Sequence, residues 1–85
     1  MTNDLITWLR AQLDEVEAAA ARDLASIERH DLAVERLVEV DVKRRILDLL
    51  EGADDESAWW YHQHLVPLLA LPYADRDGYR QEWRP

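Results

Sequence analysis

An all-α fold follows from three observations on this 85-residue chain. Apolar residues recur every three or four positions through its first fifty residues, the spacing of a helix that buries one face. Glycine occurs twice and proline three times, too few breakers for the turns of a hairpin-rich β fold. Apolar residues make up 48% of the chain, enough to build a packed core and to set wholesale disorder aside. The expected architecture is one helical domain over residues 1–85. It is a small helical bundle: an antiparallel helical hairpin, a third, kinked helix across it and an aromatic C-terminal strap.

The first helix is expected over residues 4–29. Ile6, Leu9, Leu13, Val16, Ala20, Leu24 and Ile27 form a single sustained stripe. Thr2 or Asn3 can cap it, and Asp4 suits the positive end of the helix dipole. Ala18 to Ala21 keep its middle slim. The second helix is expected over residues 32–51, with Val34, Val38, Val42, Ile46 and Leu49 as its core face, widened by Leu37 and Leu50. Val40 and Leu47 fall on the far side, which predicts more than one packing neighbour. Glu39 with Lys43 and Arg44 with Asp48 stand at i,i+4 spacing, and Gly52 ends the helix as a C′ residue. Arg29-His30-Asp31 must join the two helices without glycine or proline, with Asp31 as the cap of the second. A tight hairpin is the reading, because an uninterrupted helix would place Asp31 on the apolar stripe. The rival is one rod of about 48 residues, roughly 70 Å long, which would need an oligomer to be stable.

Asp54-Asp55-Glu56-Ser57 reads as a polar turn, with Ser57 capping a third helix over residues 58–71. Tyr61, Leu65, Leu68 and Leu69 are its core face, Pro67 kinks it and Pro72 stops it. Asp75-Arg76-Asp77-Gly78 fits a type I turn. A last helical turn over residues 79–83 then puts Tyr79 and Trp83 on the same side.

The formal charge of −8 and pI near 4.7 disfavour non-specific binding to nucleic acid or an anionic membrane, both of which rest on Lys and Arg. The tail from Tyr73 is neutral, with three arginines against three acids, and repels a partner least. The chain has no cysteine, so a disulfide or thiolate zinc site is excluded. No apolar run reaches the ~18 residues of a membrane span. The start lacks the basic and apolar blocks of a signal peptide, and a cytoplasmic address is expected.

Candidate chemistry is sparse. His62 and His64 stand two apart, about 200° around a helix, and cannot share an ion, with Trp60 stacking on His64 as their simpler role. Ser26 and Ser57 have no histidine at a spacing that suggests a base, and two isolated glycines cannot cradle a phosphate. Pairs such as Asp14/Glu15 and Asp54/Asp55 fall on solvent faces. The expectation is a protein that is not an enzyme and carries no cofactor or metal. Lys43-Arg44-Arg45 could contact phosphate or an acidic partner; the favoured reading is a solvated face balanced by Glu39, Asp41 and Asp48.

Aromatic residues carry the functional expectation. Trp59, Trp60 and Tyr61 diverge on a helix in steps of about 100°, so Tyr61 can join the core while the tryptophans stand outside as interface anchors or lie covered in a groove. In the tail, Tyr73, Tyr79 and Trp83 read as a strap over the bundle, with Arg76, Arg80 and Arg84 on helix carboxylates, or else as an open recognition surface. The expected function is non-enzymatic protein binding, with self-association to a homodimer. Trp59, Trp60, Tyr73, Tyr79, Arg80, Trp83 and Arg84 are the expected contact residues. An acidic decoy of the DNA backbone is the alternative, weakened by ten interleaved Lys and Arg, and a small metal-dependent protein is third.

Three stretches carry a family resemblance. The ending Leu-Ala-Leu-Pro-Tyr-Ala-Asp-x-x-Gly-Tyr-Arg-x-Glu-Trp-Arg-Pro (69–85) resembles the end of a family of short actinobacterial and actinophage proteins, a domain of unknown function. Residues 4–15 and the Arg-His-Asp to Arg-Arg-Ile-Leu region (29–47) are similar to the same family. The chain departs from that pattern in having Leu32 where the family carries proline, and in lacking a segment between the first helix and Arg-His-Asp. The resemblance implies an origin in actinobacteria or their phages, and a phage or mobile-element accessory role, rather than a chemistry.

Overall fold

Whether the chain folds back near residue 30 decides the topology. A computed structural model of the protein describes residues 4–85, and it does fold back. Helix α1 (Asp4–Asp23) and helix α2 (His30–Glu51) form an antiparallel hairpin; α3 (Asp55–His64) and the short α4 (Val66–Ala70) follow. Single 3-10 turns at Leu71–Tyr73 and Gln81–Trp83 complete the tail. The longest extent of the fold is 46 Å, well short of the 70 Å rod. No strand occurs among the described residues, so the protein is an all-α bundle.

The turn between α1 and α2 begins earlier than the apolar stripe predicts. Leu24 closes the last turn of α1 by donating to the Ala20 carbonyl, and Ser26 donates to that of Asp23. His30 Nδ1–H donates to the Leu24 carbonyl at 2.9 Å, and Arg29 lies 3.7 Å from Asp23. These bonds occupy polar groups that a continuous helix would have paired differently. Leu24 and Ile27 therefore leave the core face, and Ile27 is 98% exposed. Asp31 does not cap α2: Arg29 holds that position without a side-chain bond, and Asp31 sits in the first turn, where its charge suits the dipole. The cap expected of Thr2 or Asn3 lies outside the described residues.

The core is a seam along the hairpin closed at one end by α4. Leu5, Ile6, Leu9 and Leu13 from α1 meet Val40, Leu47 and Leu50 from α2, and Val66 and Ala70 from α4. Ala20 and Ala33 are buried near the hairpin turn, where small side chains let two helices converge. Here α2 reverses the sequence reading. Ala33, Val40 and Leu47, spaced by seven, are buried, whereas Val34, Val38, Val42 and Leu49 face outward. Charge explains which stripe wins. On the buried side, Arg44 reaches Asp14 and Glu17 of α1, while Asp48 and Glu51 meet Arg10 at 3.0 and 2.8 Å. Rotating α2 to bury the valines would break all four contacts. Exposed pairs are individually weak, but two arginines that each bridge two carboxylates across the hairpin set a register. The hydrogen bonds that Arg10 donates to Glu51 and Asp48 push its guanidinium above its ordinary value.

Asp54, rather than Ser57, caps α3, its carboxylate accepting from the Ser57 N–H at 2.8 Å. The helix therefore starts three residues earlier than expected. The expected kink is a full interruption at Leu65, because Pro67 has no N–H to give and its ring crowds the turn before it. The break turns Val66, Pro67 and Ala70 into the core, while Leu68 points outward. No described helix is long and apolar enough to cross a membrane.

Candidate interaction surface

The C-terminal strap closes on one residue that sequence reasoning passed over, Trp8. Its ring centroid lies 5.4 Å from Tyr79 and 5.6 Å from Trp83, and those two lie 5.7 Å from each other. The same-side placement of Tyr79 and Trp83 thus serves a three-ring cluster. Trp8 Nε1–H donates to the Asp77 carbonyl at 3.0 Å, fixing the turn above it. Gly78 follows with φ +88°, and a Cβ there would stand 2.8 Å from Trp8 Nε1. The turn is displaced by one residue from the expected Asp75–Gly78: Tyr79 N–H donates to the Arg76 carbonyl, placing Gly78 third, where type II turns need a left-handed residue. Nothing in the spacing of Trp8 within α1 announced a partner some seventy residues away.

Two of the three tail arginines bind carboxylates of α1, Arg76 to Glu15 at 3.2 Å and Arg80 to Asp4 at 3.3 Å. Arg84 does not; its Nε–H donates to Gln81 Oε1 at 2.9 Å and its guanidinium lies over the Tyr79 ring. Arg80 lies over Trp83 in the same way, 5.1 Å from the ring centroid. Tyr73 stands apart from this cluster. Its hydroxyl accepts from Lys43 Nζ at 2.8 Å, tying the strap to α2. The Tyr79 hydroxyl is buried with no hydrogen-bond partner among the described residues.

Trp59 and Trp60 remain more than half exposed on α3. Trp60 packs against His64 at 4.9 Å, as expected, and against Tyr61 at 5.7 Å. The expected contact residues therefore divide into a strap cluster of Tyr79, Arg80, Trp83 and Arg84, an anchored Tyr73, and an open tryptophan pair. Among the described residues no group of three or more His, Asp or Glu is placed to hold a metal ion.

A surface absent from the expected set is the outward side of α2. Val34, Val38, Val42 and Leu49 follow one another along the helix for about 22 Å, with Val38 57% and Leu49 76% exposed. Asp41 borders one edge, and its partner Arg45, at 3.0 Å, stands on the face between Val42 and Leu49; Glu35 and Glu39 border the other edge. The sequence signal was present, since these were the residues chosen as the core face.

Hairpin, cross-helix and strap define a small all-α protein whose open surfaces are an apolar helix face and a pair of exposed tryptophans. Residues 2–85 match the model of a family of unknown function (DUF6221), and the chain belongs to that family. Comparison with curated proteins and with solved structures returns no match.

Proposed function

We propose that the protein is a non-enzymatic protein-interaction module that pairs with a second copy of itself through the outward face of α2. The observation that carries this reading is the valine stripe: Val34, Val38 and Val42 on successive turns with Leu49 two turns further on, on a helix whose other side already fills the core. Isolated exposed apolar residues are ordinary, but a continuous stripe of this kind marks a contact surface. Burying what is still exposed of these four side chains is worth about 4–5 kcal/mol in each copy and about 8–10 kcal/mol for the pair, within the range of association costs, so a weak, reversible dimer is expected.

A second copy fits the charges at the edges. In an antiparallel two-fold pairing centred near Val42, each edge meets the same edge of the other copy in reverse. Arg45 then comes to the partner's Asp41, and the intramolecular pair is exchanged for two intermolecular ones. Glu35 and Glu39 both lie on the first half of their edge and so meet its second half rather than each other. Trp59 and Trp60 are the next anchors, with Tyr73, Tyr79, Arg80, Trp83 and Arg84 contributing only where the strap leaves them open. The resemblance of the ending to actinobacterial and actinophage proteins supports a phage or mobile-element accessory role.

Light scattering over a concentration series tests this reading. The unaltered chain should gain mass towards the dimer as concentration rises, and Val38→Asp with Val42→Asp should remain monomeric with unchanged helicity. Raised salt should leave the dimer nearly intact, whereas binding by an acidic decoy of DNA would collapse. A monomer at every concentration, or a dimer indifferent to both aspartates, would overturn it.

A further inference from the structure

Most cations of this acidic chain are already engaged. Arg10, Arg29, Arg44, Arg45 and Arg80 each lie against at least one carboxylate. Lys43 and Arg36, like Arg22 and Arg84, make no ion pair with a described carboxylate, and these first two open onto the same groove. This groove of about 290 Å³ runs between α1, α2 and the start of the strap. Arg76 joins them from the strap, held by one contact to Glu15 that leaves guanidinium donors to spare. The chain carries −8 overall, yet this wall gathers three cations against one lining carboxylate, Glu39.

Tyr73 organises the group. Lys43 Nζ donates to its hydroxyl and lies 4.7 Å from the ring centroid, while the Arg76 guanidinium lies 5.8 Å from the same centroid. The phenol takes one of three ammonium donors, so Lys43 is positioned without being neutralised. Val16, Ala19 and Pro72 supply apolar wall beside these charges. The Lys43-Arg44-Arg45 run is thereby split: Arg44 and Arg45 balance acids, and Lys43 alone faces the groove.

We propose that this groove binds a small organic phosphate, its phosphoryl oxygens held by Lys43, Arg36 and Arg76 and its body resting on Val16, Ala19 and Pro72. A phosphoryl group fits better than a single carboxylate because three cations line one groove from two directions, Lys43 and Arg36 from α2 and Arg76 from the strap. Three oxygens spread over a tetrahedron can meet all of them, and planar guanidinium groups recognise them well. The volume limits the body to a small one, since it lies at the lower end of ligand pockets. This site shares Glu39 with the edge of the pairing face of α2, but none of its three cations.

Titration followed by NMR or calorimetry tests it, with phenyl phosphate, inorganic phosphate and benzoate as probes. Phenyl phosphate should bind saturably and more tightly than either of the others. Lys43→Gln and Arg36→Gln should each weaken it about tenfold. Glu39→Gln should tighten it, because the lining carboxylate repels the ligand. Arg84→Gln, which removes an arginine remote from the groove lining, should change nothing. Variants are compared after circular dichroism shows unchanged helicity; Arg36 is exposed and makes no described bond, so its variant decides if Lys43→Gln loosens the strap. Absence of saturation at about 10 mM phenyl phosphate overturns the proposal, a range that already spans weak sites. So does an Arg84→Gln effect equal to that of Arg36→Gln, or equal binding of benzoate, which would mean general charge attraction only.

Discussion

Replacing each glycine by alanine separates two roles that composition treats alike. Gly78 adopts φ +88°, a backbone that costs an L-residue about 1–2 kcal/mol. Its new methyl would also stand 2.8 Å from Trp8 Nε1, closer than contact distance, and the indole would have to move. That movement would break the Trp8 bond to Asp77, worth a further ~0.5–1.5 kcal/mol. Gly78→Ala is thus expected to cost about 2–3 kcal/mol, or a fall in Tm of about 10–20 °C for a domain this small. Gly52 ends α2 with φ −88°, not in the left-handed conformation of a C′ glycine, and a methyl there meets nothing closer than 3.7 Å. Gly52→Ala should be neutral or stabilise by about 0.5 kcal/mol, through the unfolded chain. Urea and thermal unfolding followed by circular dichroism measure both. If Gly78→Ala unfolds within about 0.5 kcal/mol of the parent, the strap is not seated on Trp8 as described.

Further substitutions test other contacts. Val40→Ala should cost about 1.5–3 kcal/mol in the same unfolding assay, and Val38→Ala less than about 0.5; the reverse order would mean that α2 is rotated. Tyr79→Phe removes a buried hydroxyl without a described partner and should raise stability by about 1 kcal/mol, where a loss would reveal a hydrogen bond to that oxygen. The Asp54 carboxyl is held below its ordinary value, chiefly by the Ser57 N–H. Its folded pKa thus lies below the unfolded one. The cap contributes fully above the unfolded value, below about pH 4 that contribution fades, and it is lost as pH falls through the folded value. The Ser57 amide shift should titrate with this acid step, and Asp54→Asn should abolish it.

The class of fold was readable because helical periodicity and scarce glycine are local properties. The strap was readable for the same reason: a short segment holding two tyrosines, a tryptophan and a glycine needs somewhere to seat them. What misled was the richness of α2, which carries one stripe at four-residue spacing and another at seven. Apolar counting favours Val34, Val38 and Val42. The choice between stripes rests on Arg44, Asp48 and Glu51 finding Asp14, Glu17 and Arg10 on a different helix, and pairings across a hairpin are invisible to single-helix periodicity. The start of the turn was hidden similarly, since Leu24 and Ile27 continue the stripe while a histidine bond to the Leu24 carbonyl ends it. Trp8 escaped notice because its partners are supplied by the far end of the chain.

That last feature orders events on the ribosome. Trp8 is made about seventy residues before Tyr79 and Trp83, and at ordinary elongation rates about 4–15 s separate them. Until the strap has emerged, the hairpin must wait with a bare indole at its flank. Nascent chains stalled short of Gly78 should therefore be the form that proteases and chaperones find, and a stop codon before Gly78 should be felt as lost protein rather than lost contact.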